Sequence, residues 1–189
     1  MNRDNQQEIP TEAEIAWLGG IIEGKGSVSL SCYVRNEKSK PKMGTEIKLY
    51  NTDAGIIGKA TDIIERLGLS FHLAERAQKP MKMASGEQYG GKDPMLILTV
   101  KRLESAYILG KLLHPWMFGD KHHRMTLIIQ YLSRRLSKIE KHGHNVEIDK
   151  GDVEIVAKFY REHVKRPGHN RHLVEKLLRG YTWDTQKTV

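Results

Sequence analysis

Trp17-Leu18-Gly19-Gly20-Ile21-Ile22-Glu23-Gly24-Lys25-Gly26-Ser27 is the stretch on which the fold turns. Just upstream, Thr11-Glu12-Ala13-Glu14 has the form of a capping box, in which a Thr hydroxyl and a Glu carboxylate satisfy backbone donors at a helix start. A helix is therefore expected from there to Gly24 or Gly26. Two adjacent glycines inside it cost roughly 1 kcal/mol each relative to alanine, so something must compensate them. At helical spacing Ala13, Ala16, Gly19, Gly20 and Gly24 fall broadly along one side, opposite Ile15, Leu18 and Ile22. So smooth a side lets another backbone come close, as in packed helix pairs, or lets the helix lie against its own sheet.

Outward from that helix, the period changes at Gly26. Val28, Leu30, Cys32 and Val34 alternate with Ser27, Ser29, Ser31, Tyr33 and Arg35, which marks a strand with one apolar and one polar face. The basic run Arg35-Asn36-Glu37-Lys38-Ser39-Lys40-Pro41-Lys42 reads as a turn. Ile47 and Leu49 then alternate with Glu46, Lys48 and Tyr50 in a second strand, completing a hairpin. Asn51-Thr52-Asp53 supplies N-cap chemistry for a helix with Ile56, Ile57, Ala60, Ile63, Ile64 and Leu67 at helical spacing and Gly68 as its stop. Two more strands are expected at 70–76 and 95–101, across a long loop rich in Lys, Gly and Met. Helices follow at 103–113, from an Asp120 cap to about Lys138, at 149–164 and at 171–179. The class is α+β, with no internal repeat.

The 189 residues are 39% hydrophobic and 29% charged, the composition of one globular domain spanning 1–189. Cys32 is the only cysteine, which rules out an intrachain disulfide and a Cys-rich zinc module and points to a reducing, intracellular compartment. No apolar run approaches the roughly 18 residues of a membrane span, and MNRDNQQEIP lacks the apolar core of a signal peptide, so neither membrane insertion nor secretion is expected. Residues 1–100 carry 13 basic and 13 acidic side chains and residues 101–189 carry 18 and 10, so the whole net charge of +8 lies in the second half. Such an excess favours nucleic acid or an anionic membrane surface as partner. His142-Gly143-His144 and His169-Asn170-Arg171-His172 lack the cysteines and paired spacing of zinc modules. Residues 165–171 read equally as a phosphate-contacting loop or a solvated turn.

Leu18-Gly19-Gly20-Ile21-Ile22-Glu23-Gly24-Lys25-Gly26 resembles, without a gap, the nine-letter signature of the LAGLIDADG homing endonucleases, and Ser27 matches the small polar residue that usually follows it. Asn51-Thr52-Asp53 before a helix ending in Leu67-Gly68 is also similar to that family, as is Gly119-Asp120-Lys121 before a long helix. The likeness covers residues 11–140, with 141–189 as a C-terminal helical extension. It implies an αββαββα unit with a curved antiparallel DNA-binding sheet and extra C-terminal helices. A single motif implies a homodimer whose motif helices meet through Ala16, Gly19, Gly20 and Glu23, on a long, roughly palindromic double-stranded DNA target. The implied reaction is Mg²⁺-dependent phosphodiester hydrolysis by an intron- or intervening-sequence-encoded enzyme. Metal would be held by the motif's last acid and the preceding backbone carbonyl, here Gly24, with Glu23 as a substitute carboxylate. Lys121 falls at the family's basic residue near the scissile phosphate, and Thr52 or Asn51 near the attacking water.

The metal-binding acid of the signature falls on Lys25. A charged ammonium has three donors and no lone pair, so it cannot ligate Mg²⁺. Three explanations stand: a natural relative that lost cleavage and kept DNA binding, an enzyme inactivated by exchange of the acid, or a lysine occupying the metal's place beside a phosphate. A rival class, an RNA maturase or transcription regulator, would use the same fold without cutting. If the apolar residues of the first hairpin face the helices, the opposite face offers Ser27, Ser29, Ser31, Tyr33, Arg35, Glu46, Lys48 and Tyr50 to base edges, with Lys38, Lys40 and Lys42 in the turn. The second hairpin adds Ser70, His72, Arg76, Lys79 and Lys82, and His122, His123 and Arg124 follow Lys121 toward phosphate.

Overall fold

The capping box forms as its spacing predicts. Glu14 N–H donates to Thr11 Oγ1 at 3.3 Å and Thr11 N–H to Glu14 Oε2 at 2.8 Å, opening α1 (Glu12–Lys25). Glu14 also pairs with Arg66, whose hydrogen bond holds the carboxyl down at about 2. Ile15, Leu18 and Ile22 turn into the core. The computed structural model describes residues 8–33, 41–78, 81–82, 88–89, 93–144, 146–163 and 169–184.

The described residues form six strands, of which β1 and β2 show the expected alternation: β1 (Gly26–Tyr33), β2 (Lys42–Asn51), β3 (His72–Arg76), β4 (Met81–Lys82), β5 (Gln88–Tyr89) and β6 (Met95–Val100). Four of them make an antiparallel sheet in the order β1-β2-β6-β3, and β4 pairs with β5 in a separate ribbon inside the stretch expected to be loop. Strand β3 begins at His72; Ser70 stays outside it, its N–H donated to Ser105 Oγ at 3.0 Å.

Helix α2 (Ala54–Arg66) is capped by Asp53, whose carboxylate accepts from Gly55 and Ile56 N–H. Helices α3 (Leu103–Leu113), α4 (Gly119–His142), α5 (Lys150–His163) and α6 (His169–Asp184) complete the described chain, with a 3₁₀ turn at His114–Trp116. The start of α4 corrects an expectation. Asp120 is not the cap; Phe118 holds that position with no side-chain cap bond. Gly119 takes the turn at φ 58°, a conformation that glycine adopts without strain. The Asp120 carboxylate is thereby freed to bind Arg124 at 2.7 Å and His163 Nδ1 at 2.6 Å, joining the start of α4 to the end of α5.

One apolar cluster joins all layers: Val28, Leu30, Ile47, Leu49, Leu98 and Val100 from the sheet, Ile63 from α2, Leu109 from α3, Ile128 from α4, Phe159 from α5 and Val174 from α6. A second tie between α4 and α5 is ionic. Asp152 is fully buried and meets Lys138 at 2.6 Å, Arg135 at 3.5 Å and Arg134 at 3.6 Å.

Candidate nucleic-acid interface

The outer sheet face is assembled by register. Ser27, Ser29, Ser31 and Tyr33 pair with Lys48, Glu46, Gly44 and Lys42 respectively. Lys48 pairs onward with Thr99 and Tyr50 with Ile97, while His72, Ala74 and Arg76 lie opposite Thr99, Ile97 and Met95. Side chains alternate across a strand, so all of these share the face turned away from the core residues Val28, Leu30, Cys32, Ile47 and Leu49. Sequence alternation thus brings together the candidates from β1 and β2, and register adds those from β3. The strip through Gly44, Ala74, Ile97 and Thr99 was not legible, because MLILTV in β6 has no polar alternation to mark its faces.

Several of these groups already have partners. Ser31 Oγ donates to Gly44 O at 3.2 Å, Ser29 Oγ to Glu46 O at 3.4 Å, and Ser27 Oγ to Tyr50 Oη at 3.4 Å. Lys48 pairs with Glu46 at 2.6 Å, so a cation and an anion stand side by side on the face. Arg35, Lys38, Lys40 and Lys79 lie outside the described residues, and Lys82 sits in β4.

Helix α1 ends at the edge of this face with no loop between. Lys25 is its last residue, exposed, and Gly26 opens β1 opposite Leu49. A Cβ at Gly26 would lie 2.6 Å from Lys48 O and 2.7 Å from Ile22 O, so only glycine permits this junction. Lys121 reaches from the first turn of α4 and donates to Ile22 O at 3.2 Å, which also accepts the Gly26 N–H, and to Glu23 O, a carbonyl that the helix end leaves open. Glu23 Oε2 is buried without a hydrogen-bond partner among the described residues. Asn51 Oδ1 accepts from Asp53 N–H at 3.0 Å and so shapes the turn into α2, while Thr52 beside it is exposed.

The small side of α1 divides. Gly19 is buried, and a Cβ there would meet Trp116 Cβ at 2.7 Å, so its close contact is within the chain. Gly20 and Gly24 have nothing within 4 Å, and Ala13 is exposed with Ala16 half-buried. Helical rotation separates Gly19 from Gly20 by about 100°, which puts them on different flanks. Arg124 is also committed internally, to Asp120 and to His163 O at 3.4 Å. His122 stacks on His114 with ring centroids 4.1 Å apart; His123 is exposed.

The architecture and this face define an αββαββα protein with helices behind an antiparallel sheet and a polar face in front. This is the LAGLIDADG homing endonuclease fold. The chain is similar to the homing endonuclease I-CvuI, solved in complex with the I-CreI target in the presence of Mg, at 17% identity and a TM-score of 0.57, over 90% of this chain and 96% of that one. It is similar to the group I intron-encoded homing endonuclease I-CeuI complexed with DNA, at 12% identity and TM-score 0.59, over 91% and 77%. It is similar also to the LAGLIDADG homing endonuclease I-SmaMI bound to cleaved DNA, at 11% identity and TM-score 0.57, over 87% of this chain and 48% of that one. No family model matches the sequence, and no curated protein matches it.

A divalent cation does not fit the residues at the end of α1. Glu23 Oε2 and the Gly24 carbonyl are its oxygen donors, against the ammonium groups of Lys25 and Lys121. Mg²⁺ demands near-octahedral oxygen coordination, and ammoniums supply none. Among the described residues no group of three or more His, Cys, Asp or Glu could hold a metal, and no helix is long and apolar enough to cross a membrane.

Proposed function

We propose that this protein is an intracellular, intron- or intervening-sequence-encoded homing endonuclease relative that binds a long, roughly palindromic DNA duplex as a homodimer and, with Lys25 in place of the acid, does not cut it. The observation that carries the proposal is the single sheet face on which Ser27, Ser29, Ser31, Tyr33, Lys42, Glu46, Lys48, Tyr50, His72 and Arg76 share one register. Its mixed donors and acceptors suit base edges, while the excess of +8 supplies phosphate attraction. DNA-bound I-CvuI, I-CeuI and I-SmaMI on the same fold support this use of the face.

Dimerisation is supported by length. The chain matches nearly all of I-CvuI but about half of I-SmaMI, so a second copy would supply the missing half. The open flank of α1 at Ala13, Ala16, Gly20 and Gly24, beside the unpartnered Glu23 carboxylate oxygen, is the surface offered for it.

Selection of bound duplexes from a random pool, followed by a cleavage test on the winner, tests the proposal. The chain as it stands should bind and leave the duplex intact in Mg²⁺, whereas Lys25→Glu or Lys25→Asp should cut both strands. Efficient Mg²⁺-dependent cutting with Lys25 in place would sink it.

A further inference from the structure

The misfit between a divalent cation and the end of α1 has a positive content. We propose that this helix end binds a phosphodiester of duplex DNA directly through the ammonium groups of Lys25 and Lys121, with no divalent cation between protein and DNA. This rests on the duplex binding proposed above and names what takes the metal's place.

Two lysines from different elements belong to one helix turn, one as its last residue and one bound to its carbonyls. Residues 22–25 span about 4.5 Å of helix axis. Lys121 places its ammonium on Ile22 O and Glu23 O within that turn, and Lys25 closes the turn with an exposed side chain. An ammonium carries three N–H donors. Lys121 spends two on the carbonyls, so its third donor and its charge remain for a ligand.

The position of this turn selects the ligand. Ser27, two residues beyond Lys25, lies opposite Lys48 on the outer sheet face, so the lysine pair stands at the margin of the surface offered to bases. Phosphates flank base edges in a duplex, and lysine serves them as a point charge. A lone lysine in a last helical turn is explained by the helix dipole alone. Lys121, brought from α4 ninety-eight residues further on from Glu23 to the carbonyls of that turn, adds a second positive charge there.

The selected duplex provides the test, by fluorescence anisotropy across a salt titration in EDTA and in Mg²⁺. The wild-type chain should bind within about twofold equally in both, because no metal bridges the contact, and Lys25→Gln should lower the slope of log affinity against log salt by about 1 per protomer. Lys25→Arg should keep the wild-type slope. Lys25→Glu should bind more weakly than wild type in EDTA and recover affinity with Ca²⁺. Loss of wild-type binding in EDTA, or an unchanged slope in Lys25→Gln, would overturn the direct contact while leaving duplex binding in place. Failure to select any duplex would overturn the binding proposal itself, and is read before any variant is made.

Discussion

The backbone N–H of Cys32 in β1 donates to the phenol oxygen of Tyr160 in α5 at 3.2 Å. Strand β1 is an edge of the sheet, where outward N–H groups have no strand to meet, and this bond closes one of them with a residue 128 positions away. The C-terminal helices thus belong to the sheet's architecture, since Tyr160 and Val174 enter the same apolar cluster as Leu30.

Tyr160→Phe should therefore strand a buried donor and lower stability by about 1–2 kcal/mol. The midpoint of urea unfolding should fall with the slope unchanged. Burial also pushes the Cys32 thiol up to about 11, so it should resist alkylation in the native protein at neutral pH. A chain ending at Gly143, without α5 and α6, should be alkylated readily, as mass spectrometry would register.

Asp152 carries the heaviest electrostatic load. Asp152→Ala leaves the Lys138 and Arg135 cations without their buried counter-ion, a loss of about 3–5 kcal/mol. Its neighbour Asp149 gives the pH signature. Burial opposes ionisation there, but the hydrogen bonds from Lys138 and the Asp152 N–H, together with the charges of Lys138 and Arg134, outweigh it and hold the carboxyl at about 2, below its ordinary 3.8. A depressed carboxyl stabilises above its unfolded value and loses that contribution as pH falls through the folded one. Acid unfolding should show a component between about 4 and 2 that Asp149→Asn removes.

The two adjacent glycines should respond in opposite directions. Gly19→Ala drives a methyl into Trp116, costing about 1–3 kcal/mol. Gly20→Ala meets open space and gains about 1 kcal/mol of helix propensity. Thermal melts separate the two. Gly20→Leu should leave the monomer folded and break the proposed dimer, visible in sedimentation; an unchanged oligomeric state would count against that interface.

His114 is pushed down by burial and then by the nearby His122 charge. The unfolded chain therefore takes up this proton more readily, and stability is full above about 6.5 and declines as pH drops below it. His114→Gln should flatten that decline in melts recorded between about pH 5 and 8.

Local chemistry made much of this protein legible. The Thr11–Glu14 box, the alternation of β1 and β2 and the Asp53 cap each depend on neighbours within a few residues, and each formed where the spacing predicts. What the sequence concealed is long-range. Nothing near Asp120 announces that His163 competes for its carboxylate, so a capping role was the natural expectation. Nothing near Gly19 announces Trp116, which claims one of two glycines that small size alone groups together. The resemblance brought Lys121 toward the phosphate site, but its seat on the α1 carbonyls is a contact across about a hundred residues.

The loopless junction at Gly26 sets how this molecule can change. With the end of α1 held against the backbone of Lys48, side chains at position 25 can be exchanged while the outer sheet face stays where it is. Under the proposed function, address and blade are then separate parts, and the residue at position 25 decides whether a located site is severed or merely occupied. That proposal makes the chain a roadblock on DNA, convertible to scissors and back without relearning its target.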